Sequence, residues 1–382
     1  MINVEVNKFI NRVEFDYERN EPITIEINSK EDFNKLISFC YENNIEYIDN
    51  ITEQIDEYKE VFKLFHKGLD DEFNLLIDRH RNPNSKIIGN IIFLGWAQKS
   101  IINVLPAEMH YELITWRNKE KITNEEQAIV SQKKIGIVGC SVGSFAVRVL
   151  GKLGFQNFNI AELKKMKPSN APRMYHDSIR NYGKHKMEPL SNGMFEFNPY
   201  SKIKLYNDGL SSDQMDEFFT IEGEQIDILV DAADDGKIKL QLRDYCREKK
   251  IPLVSGFDEK GVLLILRYDK PDLLVEDHFD FNETTLEALK ENDPNEYSKK
   301  ILDFFPGGRS NLSLRQKDTI DGIMNKTRGG FSQLAWEASL FSSYVAKSIL
   351  DISLGYEIGG SKFFDFDELI TNQMVLKDSK AG

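Results

Sequence analysis

The chain has 382 residues, 41% of them hydrophobic and 29% charged, with a formal net charge of −13. Such a length buries a large core without covalent staples and allows two or three domains. The acidic balance argues against a nucleic-acid groove or an anionic membrane surface as the main partner, and no apolar run approaches membrane-spanning length.

Three cysteines, Cys40, Cys140 and Cys246, form no Cys-x-x-Cys pair. That spacing speaks against a disulfide framework or a four-cysteine zinc site and suits a reducing cytosol. The N-terminus lacks a cationic stretch followed by an apolar one, so the expected location is cytoplasmic. The six histidines, at positions 66, 80, 110, 176, 185 and 278, show no metal-ligand spacing.

Residues 1–110 read as a small α/β module. Ile23 to Ile27 alternates as a strand, and Ser29 with Asp32 resembles a capping box opening a helix apolar at Phe33, Leu36, Ile37 and Cys40. Residues 53–81 are helical in pattern, and Ile87–Leu94 and Ile101–Leu105 are strand-like. Thr123 with Glu126 predicts a further cap.

The pattern changes at Lys133. Ile135 to Val138 predicts a strand, Gly139 to Ser144 a small-residue turn, and Phe145 to Leu153 a helix closed by Gly154. Strands follow at 158–160, 202–206, 226–230 and 252–255, with a helix at 238–249. This alternation predicts an α/β fold: a Rossmann-like, mostly parallel sheet with flanking helices. Residues 261–268 read as an antiparallel addition. Residues 270–328 read as an irregular connection containing Pro306-Gly-Gly308. A long packing helix is expected over Phe331–Leu354.

The turn Gly139-Cys-Ser-Val-Gly-Ser144 lets backbone N–H groups approach a phosphate at a helix N-terminus. Alone it is a weak signal, and a ligand-free tight turn is the plain alternative. It is not the dinucleotide fingerprint, because serine stands at 141 and 144. Glu162, at the end of the next strand, suits a ribose hydroxyl of NAD or ATP, or is a solvated surface glutamate. Downstream lie Arg173, Lys186 and Asp231-Ala-Ala-Asp-Asp235. C-terminal ends of parallel strands share one edge, so the turn and the aspartates are expected in one crevice. Cations for phosphate oxygens and a carboxylate for Mg²⁺ suit nucleotidyl transfer. The plain alternatives are surface charges and a helix N-cap among the aspartates.

The ordered pieces Ser169-Asn-Ala-Pro-Arg173, Gly183-Lys-His-Lys186, Asn198-Pro199, Asp231-Ala-Ala-Asp234 and Ile251-Pro-Leu-Val-Ser255 resemble the ThiF, MoeB and ubiquitin-activating proteins over about residues 115–270. Arg117-Asn-Lys, Ile122–Gln127, Val138–Ser144, Gly95-Trp96 and Val104-Leu-Pro106 also resemble a bacterial ThiF-like subgroup often fused to a nitroreductase-like domain. The resemblance implies an ATP-dependent adenylyltransferase spanning residues 111–382, acting as a homodimer on a carboxylate-bearing peptide, protein or small molecule. It implies that Gly139, Ser141, Gly143 and Ser144 cradle the nucleotide and that Glu162 binds its ribose. Asn170, Arg173 and Lys186 would hold the triphosphate, and Asp234 would bind Mg²⁺. Arg117 would reach the neighbouring subunit's nucleotide. Residues 1–110 would be a substrate or partner clamp. The chain departs from the family at Ser141, where another glycine is usual, and at Lys164, where a second acid is common. No cysteine follows Cys246, so a late thioester step is unavailable. The competing readings are an NAD-dependent oxidoreductase and a non-catalytic partner-binding protein.

Overall fold

A computed structural model of the chain describes residues 2–12, 21–65, 70–97, 99–176, 178–257, 262–274 and 333–363, with isolated positions between 317 and 327. The chain divides into two units. One holds Met1–Ser131, Gly151–Gln156 and Glu188–Ile203; the other holds Gln132–Leu150, Asn157–Met187 and Lys204–Gly382.

The first unit begins with β1 (Ile2–Glu5), α1 (Val6–Arg12), β2 (Ile23–Glu26), α2 (Lys30–Glu42) and β3 (Glu46–Ile48). It continues with α3 (Ile51–Phe65), α4 (Asp70–Arg79), β4 (Asn90–Leu94), β5 (Ser100–Val104), α5 (Ala107–Thr115) and α6 (Asn124–Gln132). Its sheet has the order β1-β2-β4-β5-β3. The alternation of β2 buries Ile23 and Ile25, and α2 buries Leu36 and Cys40 four residues apart on one face. Ser29 Oγ accepts the Asp32 N–H at 3.0 Å, as the sequence predicts. The capping box of α6 also forms: Thr123 N–H donates to Glu126 at 2.8 Å, and Glu126 N–H donates back to Thr123 Oγ1 at 3.2 Å. The late segment 188–203 is tied in by Tyr200, whose hydroxyl donates to Leu105 O at 2.6 Å and accepts from Asn90 at 2.9 Å. Short β1 and β3 escape the sequence reading because β1 buries only Val4 and β3 buries no residue fully, so neither carries an apolar run.

The second unit carries β6 (Lys134–Val138), most of α7 (Gly143–Leu153), β7 (Asn157–Ala161), part of β8 (Lys202–Tyr206) and α9 (Met215–Phe218), while α8 (Met187–Phe197) lies in the first unit but for Met187. A small hairpin of β9 (Thr220–Ile221) and β10 (Glu224–Gln225) precedes β11 (Ile228–Asp231), α10 (Gly236–Lys249), β12 (Leu253–Phe257) and β13 (Val262–Leu266). The described part of the chain ends with α11 (Ala335–Ser353) and β14 (Gly360–Phe363). The sheet order is β14-β13-β12-β11-β6-β7-β8. β6 is parallel to both β7 and β11, and β11 to β12. β13 and β14 are antiparallel additions. Every residue of β7, β11 and β13 is buried, as expected for strands covered on both faces.

The chain leaves β6 for β7 on one side and returns to β11 on the other. That reversal opens a crevice at the C-terminal ends of β6 and β11. Gly154 stands at φ +102°, closing α7 as expected. α11 buries Ala338, Phe341, Val345 and Ile349 at helical spacing. Its expected start at Phe331, the strand residue Gly261 and nearly all of the expected 270–328 connection lie outside the described residues.

Candidate active site

The glycine turn is pinned from both sides. The Gly139 N–H donates to Ala161 O at 2.9 Å, and the Ala232 N–H donates to Val138 O at 2.8 Å. Gly139 has φ +96°, and a Cβ there would lie 2.2 Å from Ala232 O. Only glycine meets both conditions. Gly143 opens α7 with room for no more than a small side chain, since a Cβ would meet Ala232 Cβ at 3.3 Å. Ser144 is buried, and its hydroxyl donates to Ser141 O at 2.6 Å and accepts the Tyr175 N–H at 2.9 Å. It fixes the turn's shape from inside. Ser342 Oγ of α11 donates to Val142 O at 3.0 Å, fastening the same turn.

Glu162 is not a solvated surface glutamate. Its side chain is 9% exposed, and one oxygen accepts the Cys140 N–H at 3.1 Å and the Lys186 ammonium at 3.4 Å. The other accepts the Lys164 N–H at 2.7 Å. Lys186, 3% exposed, also donates to Ser141 Oγ at 2.7 Å. One buried cation therefore links the turn after β6 to the acid after β7, and Ser141 holds a specific place in that link.

The aspartates after β11 divide into three roles. Asp231 is buried and accepts from Lys239 Nζ at 3.0 and 3.1 Å and from Ser255 Oγ at 3.1 Å. Its carboxylate also accepts the Ala233 N–H at 3.1 Å, which shapes the loop beyond it. Asp235 caps α10 by accepting the N–H groups of Lys237 and Ile238 at 2.8 and 3.0 Å. Asp234, between them, keeps a side chain 73% exposed and pairs with Lys164 Nζ at 2.8 Å. Desolvation by the surrounding crevice pushes the exposed Asp234 carboxyl up, but the Lys164 hydrogen bond and charge, with Lys186 and Lys239 further off, outweigh it and hold it below the usual carboxylate value. Burial likewise lowers Lys164, and Asp234 and Glu162 raise it further than burial lowers it.

Asn170 sits in the 3-10 turn Pro168–Arg173, where its side-chain oxygen accepts the Lys167 N–H at 2.8 Å. Arg173, half-buried at the end of that turn, is close enough for its charge to act on Lys164. Arg117 belongs to the first unit, where its guanidinium lies 3.9 Å over the Trp116 ring. The cysteines are poor nucleophiles. Burial raises the Cys40 thiol to about 11, and burial and the Glu162 charge raise Cys140 beyond the range of ordinary thiols. Burial does the same to Cys246.

Val138, Glu162, Lys164 and Asp234 help line a crevice of about 720 Å³, which also takes in Asp208–Ser212 and the start of α10. The Asp208–Ser212 wall escapes the motif search. The rule that strand ends share an edge would have found it, because it follows β8 directly. Lys164 also escapes as a partner of Asp234, since the pair is 70 positions apart.

Residues 116–261 match the family model described as ThiF family. A Mycobacterium tuberculosis protein printed as uncharacterized protein MT1398 is 26% identical over 63% of this chain and 32% of its own length. The tRNA threonylcarbamoyladenosine dehydratase of Escherichia coli is 27% identical over 32% of this chain and 43% of its own. The chain thus spans less than half the length of these two relatives. A crystal structure of the E. coli dehydratase in complex with ATP aligns over 64% of this chain and 94% of that one, at 18% identity and a TM-score of 0.46. Among the described residues, no helix is long and apolar enough to cross a membrane. The glycine turn and the acidic strand end both fall within residues 116–261, the part of the chain that matches the ThiF family model.

Proposed function

We propose that the chain uses ATP to activate a carboxylate as an acyl-adenylate, releasing pyrophosphate. The observation that carries this reading is the convergence, at one sheet switch point, of the glycine turn, Glu162, a carboxylate at Asp234 and the cations Lys164 and Lys186. A relative whose name declares adenylation, the molybdopterin-synthase adenylyltransferase of Haemophilus influenzae, is 24% identical over 37% of this chain.

A carboxylate oxygen attacks the α-phosphorus, the bond to the pyrophosphate oxygen breaks, and the acyl group leaves joined to AMP. An attacking carboxylate is already ionised at neutral pH, so no general base is required. The work left to the protein is placement and charge compensation. The turn at Gly139 to Gly143 presents backbone N–H groups, and Glu162 receives a ribose hydroxyl. Arg173, Lys164 and Lys186 offset phosphate charge. Asn170 shapes the loop that carries Arg173. Arg117 enters only in a homodimer, where it would reach the partner's nucleotide.

Asp234 suits a divalent cation. It is a single exposed carboxylate on the crevice wall, and Mg²⁺ commonly takes one or two carboxylates together with substrate phosphates. Among the described residues no cluster of three or more His, Cys, Asp and Glu forms a free-standing metal site, so the nucleotide would supply the remaining oxygens. Bound there, Mg²⁺ supplies charge neutralisation for the leaving pyrophosphate.

The test is calorimetric titration of the wild type and Asp234→Ala with Mg·ATP and, separately, with NAD. The reading expects Mg·ATP binding that the substitution weakens. Preference for NAD, or indifference to the substitution, overturns it.

A further inference from the structure

The strand end after β7 leads into residues 164–186, which hold seven of the chain's Lys and Arg residues and one of its acids on a protein of net charge −13. Three of these cations, Lys164, Arg173 and Lys186, are already accounted for at the crevice. Lys165, Lys167, Arg180 and Lys184 are not, and all four are exposed. The segment doubles back on itself. The Met166 N–H donates to Lys184 O at 2.8 Å, the Gly183 N–H donates to Met166 O at 3.0 Å, and Lys165 bridges His185. The fold therefore brings the backbone stretches that carry Lys165, Lys167 and Lys184 together. Lys164, the next residue along, lies in the crevice wall itself.

We infer that this basic strip docks an acidic peptide segment whose terminal carboxylate is delivered into the crevice. The docking surface stands on charge and geometry alone; the delivery of a carboxylate for activation rests on the proposed function. Lys165, Lys167 and Lys184, exposed like charges on adjoining backbone, repel one another, and an acidic chain laid across them relieves that repulsion. The size of the strip favours a peptide over a nucleic acid. A polynucleotide extending beyond it would run onto a chain that is acidic overall. Beside the strip Ile179 is 81% exposed and Tyr182 39% exposed, an apolar contact open to a peptide side chain.

The test is fluorescence anisotropy with a labelled Glu-rich peptide bearing a free C-terminal carboxylate, alongside a labelled single-stranded RNA of matching charge. The proteins are the wild type, the triple variant Lys165→Gln, Lys167→Gln, Lys184→Gln, and the corresponding triple Glu variant. The expected result is peptide binding by the wild type that weakens by about tenfold in the Gln variant and more in the Glu variant, and that declines with added salt. Should the Glu variant fail to fold, the Gln variant decides. Equal binding by wild type and variants, no peptide binding at all, or tighter binding of the RNA overturns the inference. Mg·ATP titration of the same proteins separates the two claims. Peptide binding without nucleotide binding sinks the proposed adenylation and leaves the docking surface standing. Nucleotide binding without peptide binding does the reverse.

Discussion

Lys164 Nζ lies 2.8 Å from Asp234 Oδ2, joining the loop after β7 to the loop after β11 across the mouth of the crevice. Both side chains are more than half exposed, so the pair contributes little to stability and opens readily to a ligand. Its consequence is electrostatic: the ammonium holds the Asp234 carboxyl below its ordinary value.

That consequence is measurable. The folded-state pKa of Asp234 is depressed, so any stability it confers is present above the unfolded value and is lost as pH falls toward the folded value. Lys164→Met should move the Asp234 titration upward, read by carboxyl-carbon NMR, with little change in melting temperature. An unmoved titration shows that Lys164 is not the controlling charge.

Asp234→Ala should cut ATP–pyrophosphate exchange by at least about a hundredfold, the usual scale for losing a charge-stabilising group. The melting temperature should change by no more than about 2 °C, because the side chain is exposed. The exchange assay requires the carboxylate substrate, so Mg·ATP calorimetry serves first. Exchange at the wild-type rate removes Asp234 from the chemistry.

The Asp231–Lys239 pair is the opposite case, with side chains 0% and 7% exposed. Lys239→Met strands a buried carboxylate and should cost about 3–5 kcal/mol in urea unfolding. Adding Asp231→Asn should recover part of that loss. A single variant as stable as the wild type means that Ser255 and the Ala233 N–H suffice to hold the charge.

Gly139→Ala should destabilise by about 1–3 kcal/mol, because it forces a side chain into left-handed backbone and against Ala232 O. Gly183 makes the control. It also has positive φ, +89°, but nothing lies within 4 Å of a Cβ there, so alanine should cost less. Equal losses at both positions would assign the whole effect to backbone strain.

Native protein should resist a thiol reagent at mildly alkaline pH, and all three cysteines should react once it is unfolded. The thiols of Cys40, Cys140 and Cys246 are raised, so their thiolate fraction stays low until pH climbs well above the ordinary range. Rapid labelling of Cys140 in the native state would show that its thiol is reactive despite its burial.

Much of the second unit is legible in the residues because its signals are local. The run Ile135 to Val138, the turn at Gly139 and the helix closed by Gly154 each lie within a few residues of their cause. The caps at Ser29 and Thr123 are legible for the same reason. Glu162 and Asp234 are visible as strand-end acids, and one aspartate is visible as an N-cap, though not which one.

What the sequence determined by itself is the α/β alternation, the glycine turn and the set of charged residues near strand ends. These follow from periodicity and backbone conformation, which act within a turn or a strand. The tertiary structure decided how the charges are used. It buries Lys186 on Ser141 and Glu162, sets Lys164 on Asp234, and separates Asp231, Asp234 and Asp235 into core, crevice and cap. The Lys186 and Lys164 pairs join positions 24 to 70 residues apart. Their partners depend on sheet order and on which strand ends meet, and the local pattern of a segment carries no record of its neighbours across a sheet.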